Sequence, residues 1–199
     1  MPKKIATRDD WLNLGLDLLN KKGKSALVVE KMAKSLGVSK TSYYWHFKTR
    51  NNFLLELADY WVKVGTSYYI EASKKYKNHR EKLFHLTKDV FIQGHTMNSI
   101  RSWRDVSKEN STIGNIVKNV ETQRIQYIQL LLASEFDSNE ALNRADMLYH
   151  YFLGWSERHR GIAINESEFN KIWRDIIEPM VRKKEDHQQL AKKNLDTEV

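Results

Sequence analysis

The 199-residue chain has no cysteine. That absence removes disulfide frameworks, thiolate zinc sites, iron–sulfur clusters and cysteine nucleophiles together, and it fits a reducing compartment. Proline is almost missing as well. Pro2 and Pro179 leave 176 consecutive residues with no locked φ and no lost backbone donor between them. Long apolar runs are also lacking: the longest charge-free stretch, Val90 to Ile100, falls far short of the roughly 20 residues that a membrane span needs. The opening MPKKIATRDD holds no apolar segment able to act as a secretion signal, so a cytoplasmic protein without membrane contact is expected. Patterns that announce catalysis are absent too. There is no Glu-x-x-His, no His-Glu-x-x-His, no phosphate loop and no Gly-x-Ser-x-Gly elbow. The 7 His are scattered, and the i, i+4 pair Glu81 and His85 reads as a surface contact rather than half of a metal site. The expectation is a non-enzyme with no cofactor and no metal.

What remains is helical. With 41% hydrophobic and 29% charged residues the composition is that of a folded domain and excludes global disorder. Period-two alternation never persists, whereas 3.6-residue apolar stripes recur along the chain, so the fold class is all-α. Trp11, Leu12, Gly15, Leu16 and Leu19 form one stripe, and Gly15 within it calls for a second helix crossing closely there. Val29, Met32, Ala33 and Leu36 form a second, short one that stops at Gly37. Further helices are predicted at about 79–98, 100–109, 113–135, 139–160 and 167–185, with cap regions at Asp137 to Glu140 and Asn165 to Glu168.

Charge is concentrated at one end. Residues 1–50 hold 11 Lys+Arg against 4 Asp+Glu, while the other 149 residues balance 22 against 21. Nearly the whole +8 excess therefore lies in the first quarter, the footprint of a module for phosphate backbones. Within it, a short helix, a turn through Gly37 and a second short helix over Lys40-Thr41-Ser42-Tyr43-Tyr44-Trp45-His46-Phe47 follow the helix-turn-helix plan. Ser39 is placed to cap the second helix, and Val38 and Phe47 are expected to anchor its two ends. Lys40, Thr41, Ser42, Tyr44 and His46 are the expected outward residues, with Lys48 and Arg50 adding charge just beyond.

From Arg8 to about Leu57 the sequence resembles the tetracycline-repressor-like (TetR) transcriptional regulators. The likeness runs through Arg8, Trp11, Leu12, Leu16, Leu18, Leu19 and Gly23, then Met32, Ala33, Gly37, Val38 and Ser39, then Tyr44, His46, Phe47, Lys48, Arg50 and Leu54. It implies an N-terminal three-helix DNA-binding head (1–50) joined to a larger helical body (51–199) for effector binding and dimerisation. By that resemblance the DNA-binding residues are Ser39, Lys40, Thr41, Ser42, Tyr43, Tyr44, His46, Lys48 and Arg50. Tyr44 and His46 would meet phosphates, Tyr43 would face or border the groove, and Arg50 would open the fourth helix. Thr41 stands where the family often has glycine, and Tyr43 where leucine is usual.

The same resemblance implies a small-molecule effector in the body, for which Phe91, His95, Trp103, Tyr127 and Trp155 are candidate lining residues. It also implies a homodimer built on the last two long helices, with Leu148, Phe152, Trp155, Ile172, Trp173, Ile176 and Met180 as candidate interface residues. The expected function is a ligand-responsive repressor on a palindromic double-stranded operator. The competing expectation is a DNA-organising or partner-binding protein of the same fold that has no small effector.

Overall fold

A computed structural model of the chain describes residues 5–94, 100–159 and 162–183. The described residues form α-helices joined by short turns, with no strand among them. Helix α1 (Arg8–Lys22) opens on a reciprocal capping box between Thr7 and Asp10 and buries Trp11, Leu12, Gly15, Leu16 and Leu19, the stripe that its sequence predicts. A single 3-10 turn (Lys24–Ala26) leads to α2 (Val29–Leu36), which has no side-chain cap at its start. Gly37 then adopts the left-handed conformation (φ 69°), and Val38 N–H returns to the Ala33 carbonyl, closing α2 and turning the chain toward α3 (Lys40–Phe47).

Helix α4 (Arg50–Val62) runs through a π-turn (Lys63–Ser67) into α5 (Tyr68–Ser73). It is the spine of the molecule. At its first end Phe53 and Leu57 pack on Gly15, where a β-carbon would lie 2.7 Å from Phe53 Cζ and 3.3 Å from Leu57 Cδ1. The Phe53 ring cannot retreat, because Tyr43 and Phe47 hold it with centroids at 5.2 and 4.9 Å. Gly15→Ala would gain up to about 1 kcal/mol of helix propensity but overpack a filled site at about 1–3 kcal/mol. A net loss of about 1 kcal/mol is expected in urea denaturation, and a gain in stability would contradict this account of the crossing.

The body continues with α6 (His79–Asp89), a second π-turn (Val90–Gly94), α7 (Ile100–Ser107), α8 (Ser111–Leu132) and α9 (Ser138–Arg158). The chain ends its described helices with α10 (Glu166–Ile172), a third π-turn (Trp173–Ile177) and α11 (Glu178–Val181). Asp137 caps α9, and Asn165 forms a capping box with Glu168, as their sequences predict. The last helix stops at Val181 rather than near 185, since Arg182 is extended (φ −110°, ψ 145°). Pro179 lies in its first turn, where the missing N–H is tolerated.

Two apolar clusters fill the interior. One joins Trp11, Leu16, Phe47, Phe53 and Trp61 of the N-terminal helices to Trp103, Val106, Ile113 and Val117 of α7 and α8. The other packs Leu86, Phe91, Leu132, Leu148, Phe152, Phe169 and Trp173. Polar ties reinforce the first junction: Asn110 Nδ2 donates to Asn51 Oδ1 (2.7 Å), and Lys24 pairs with Glu109. The head therefore shares its core with the body instead of hanging from it.

Candidate nucleic-acid interface and a cavity in the body

Helix α3 is held from one side only. Tyr43 (1% exposed) and Phe47 (1%) face Trp11 and Phe53, and burial raises the Tyr43 phenol well above its ordinary pKa against the pull of Arg50. Tyr43 is thus a core residue and does not border the groove, a correction to the sequence expectation. A tyrosine body fills an apolar site as readily as a surface, and here Trp11 and Phe53 supply that site.

Two other expected contacts are partly engaged inside the protein. Ser42 is half-buried and its Oγ accepts from Trp11 Nε1 (3.4 Å). His46 is half-buried and its Nε2 donates to the Ala6 carbonyl (2.9 Å), pinning the segment before α1 to α3. Ser39 occupies the cap position of α3, yet its hydroxyl makes no capping bond and is exposed.

The opposite side of α3 is open. At about 100° per residue, Lys40, Tyr44, Thr41 and Trp45 fall on one contiguous arc turned away from Tyr43 and Phe47, and all four are exposed. Trp45 is 71% exposed and Tyr44 47%, although both are large aromatic side chains. Trp45 was not among the expected contacts. Its signal lay in the sequence, two residues from Tyr43 and so on the far side of the helix. Lys40 approaches Glu30 at 3.8 Å, but both side chains are mostly solvated, so the pair is weak.

Just past α3, Lys48 carries a positive φ (62°) and Thr49 N–H bonds the Phe47 carbonyl at 2.6 Å across it. This is a tight γ-turn at a non-glycine residue, a strained arrangement of the kind that gathers at functional sites. It reverses the chain so that Arg50 becomes the first residue of α4, as expected, behind a Thr49 cap that accepts from Asn52 N–H (3.1 Å). Lys40, Lys48 and Arg50 are all exposed, at the two ends of the aromatic arc.

A cavity of about 70 Å³ lies in the body between the α4–α5 π-turn and helices α6, α8 and α9. Phe91 lines it, together with Tyr69, Leu86, Ile128, Leu148 and Phe152. Three of the expected lining residues sit elsewhere. Trp103 is stacked on Trp61 (5.0 Å, 24°) in the core that joins head and body. Tyr127 bonds through its hydroxyl to Ser73 Oγ (2.7 Å). Trp155 lies behind Phe91 (4.8 Å) and stacks on His159. His95 lies outside the described residues.

Arg124 of α8 is the lining residue that carries charge. Its Nε and Nη2 donate to Thr66 Oγ1 (3.0 and 2.8 Å), Nη2 also donates to the Gly65 carbonyl (3.0 Å), and its guanidinium lies over the Trp61 ring at 5.5 Å. Burial lowers its pKa from the ordinary arginine value, and burial likewise raises the neighbouring Tyr149 phenol, which Arg124 opposes. A sequence signal existed here too: Arg124 falls between Val120 and Ile128 on the buried stripe of α8.

Of the expected dimer residues, Leu148, Phe152, Trp155 and Trp173 are buried within the chain itself and cannot form an outer face. Their wide apolar arcs serve the internal cluster around Phe91 and Phe169. Ile176 is exposed, and Ile172 and Met180 are half-buried. Leu142, Met147 and Gly154 are exposed on α9, and a β-carbon at Gly154 would meet nothing within 4 Å.

The site is a helix-turn-helix head with an aromatic and basic outer face, set on a helical body that holds a cavity. Residues 12–57 match the family model described as bacterial regulatory proteins, tetR family. The chain is similar in fold to a protein from a Rhodococcus species described as a putative TetR-family transcriptional regulator (TM-score 0.64, 16% identity, covering 88% of this chain and 98% of that one). It is equally similar in fold to the ketosteroid transcriptional regulator KstR2 of Mycobacterium tuberculosis (TM-score 0.65, 13% identity, 91% and 98% covered). No curated protein matches the chain in sequence. The chain thus carries a tetR-type N-terminal domain over residues 12–57 on a body that shares the fold of these two proteins. No described helix is long and apolar enough to cross a membrane, and no cluster of three or more potential metal ligands occurs among the described residues.

Proposed function

We propose that the protein is a repressor that binds a palindromic operator as a homodimer in the cytoplasm and leaves it when a small molecule enters the body. The observation that carries this reading is the exposed arc of Lys40, Thr41, Tyr44 and Trp45, flanked by Lys48 and Arg50. An arc of that kind on a short helix after a tight turn suits a major groove, with cations on phosphates and hydroxyl, indole and amine groups toward base edges. Selection of bound duplexes from a random pool at two salt concentrations tests it. A palindrome enriched at both salts is expected, whereas binding without enrichment that vanishes as salt rises would leave only the sequence-independent backbone term.

The dimer is proposed to form on the outer face of α9 around Met147 and Gly154, with Leu142 on its flank and Met180, whose carbonyl accepts from Arg144 of α9, beside it. Leu142 and Met147 are apolar and exposed, and Gly154 lets a second backbone approach closely. Met147→Asp is expected to convert the dimer to a monomer in light scattering and to abolish tight operator binding. An unchanged mass would move the interface elsewhere.

A further inference from the structure

The body balances its charge only in sum. The nine residues from Lys74 to Lys82 hold five cations (Lys74, Lys75, Lys77, Arg80 and Lys82) and one acid, Glu81. With these set aside, the rest of residues 51–199 has 17 Lys+Arg against 20 Asp+Glu. The basic segment is the turn between α5 and α6 together with the start of α6. The helical run that leads to it begins at Arg50 and passes unbroken through the π-turn to Ser73, a length of roughly 36 Å at 1.5 Å per residue. The cations thus stand at the far end of the spine from the head.

We propose that this pole is a second polyanion surface, which holds the phosphate backbone of a DNA segment other than the one on the head. The acids that could neutralise it are already engaged. Glu71 holds Lys74 (2.5 Å), Glu178 pairs with Arg80, Glu166 pairs with Lys88, and Glu81 accepts from the Lys77 backbone N–H (3.3 Å). Lys75, Lys77 and Lys82 have no ion-pair partner among the described residues, and Lys75 and Lys77 are exposed. Lys75 stands over the Tyr76 ring (5.1 Å), a contact that fixes its stem without neutralising it. The turn is also held in shape. Asn78 caps α6 by accepting from Glu81 N–H (2.8 Å), Tyr76 N–H returns to the Ser73 carbonyl (3.2 Å), and the Tyr76 ring lies flat on His85 (3.6 Å, 2°). The backbone that carries the three lysines is therefore ordered beforehand, and binding does not have to order it.

The chemistry of the patch selects the partner. A protein interface draws its energy from a desolvated centre with aromatic or arginine anchors, and lysine is depleted there. From Ile70 to Ile92 every large hydrophobic side chain is buried or half-buried, so neither an acidic protein nor a lipid surface finds an apolar anchor. Lysines are point charges that suit phosphate, and neutralising a phosphate releases counterions whatever the base sequence. The pole binds duplex without sequence preference. With the head on an operator, a second segment at the pole makes the protein a bridge along its own length. That bridging, unlike phosphate binding at the pole, rests on the operator-binding reading given above.

The test starts from the full chain with Lys40, Lys48 and Arg50 replaced by alanine, which weakens the head, and follows its binding to a random-sequence duplex by fluorescence anisotropy. Adding Lys75→Gln, Lys77→Gln and Lys82→Gln is expected to lower the remaining affinity roughly tenfold or more at low salt, and to flatten the salt dependence by about 0.9 for each lysine that meets a phosphate. Because Lys82 is half-buried, the exposed pair Lys75→Gln and Lys77→Gln is measured alongside and should carry most of the loss. A second arm keeps the head intact. Immobilised operator carrying the parent protein should retain a second, labelled duplex, and the three glutamine changes should abolish that retention while operator affinity stays within about twofold. Unchanged affinity and slope overturn the pole site, and undiminished retention by the variant overturns the bridge. Vesicles of phosphatidylserine and phosphatidylcholine in equal parts, bound through these lysines when duplex is not, would overturn DNA as the partner in favour of a membrane surface. Failure to select an operator would instead sink the regulator reading, and the anisotropy, which needs only a random duplex, would still decide the pole site.

Discussion

Replacing Lys40, Lys48 and Arg50 together by alanine is expected to lower affinity for a selected operator by roughly a thousandfold or more at moderate salt. All three side chains are exposed at the ends of the α3 arc, so the change removes charge without opening a cavity. The plot of log affinity against log salt should flatten by about 0.9 for each cation that meets a phosphate, hence by about five for the six cations of a dimer. Lys48 needs a separate control because its positive φ strains the backbone whatever side chain it carries. Lys48→Gly accepts that φ freely and removes the same charge, so a weaker complex with a more stable fold would assign the loss to charge. Trp45→Ala should weaken binding without altering the slope, since an indole releases no counterion. A triple variant with the slope of the parent would take these three cations off the DNA.

How much of this was legible in the sequence differs sharply between the two sites. The turn at Gly37 and the close crossing at Gly15 are set by local chemistry, and each stands where its residues imply, while Arg50 opens α4 as the resemblance implied. The rotation of α3 about its axis was not legible in the same way. Tyr43, Tyr44 and Trp45 are consecutive and all amphipathic, so periodicity ranks them equally, and what decides is the aromatic wall of Trp11 and Phe53 that only the fold supplies. Tyr43 fills the core place between them.

In the body, aromatic content drew attention to Trp103 and Trp155, yet aromatic rings at helical spacing found one another first. The informative residue was of the opposite kind, an arginine on a buried stripe. Burying a charge is costly unless it is bonded, so Arg124 between Val120 and Ile128 implied a built polar site on that side of α8. The partner side chain was hidden in turn. Nothing in Lys63-Val64-Gly65-Thr66-Ser67 distinguishes a π-turn from ordinary helix, because the extra residue is accommodated by packing on both sides rather than by local propensity.

Trp61→Ala is expected to be among the most damaging single changes to stability, costing about 3–5 kcal/mol. For a chain of this size that lowers Tm by roughly 10 °C. Trp61 has no exposed surface, stacks on Trp103 and carries the Arg124 guanidinium over its face, so the alanine leaves a cavity where head, α7 and α8 meet. Trp103→Ala should behave alike, and the double variant should cost less than the two losses added, by about 0.5–1.5 kcal/mol for the stacked pair. The indole N–H groups of Trp61 and Trp103 are both buried and find no hydrogen-bond acceptor among the described residues. Trp61→Phe therefore removes an unmet donor along with part of the ring, and should cost well under half of the alanine change. The shape of the melting curve carries a second inference. Because one cluster runs from Leu16 through Trp61 to Val117, the parent should unfold in a single transition seen alike by fluorescence and circular dichroism. In Trp61→Ala the shared row is interrupted, and the head should melt first, below the body. A loss under about 1 kcal/mol with one unchanged transition would mean that α4 does not join the two parts through this side chain, and the route from cavity to head would have to run along the α7 and α8 contacts instead.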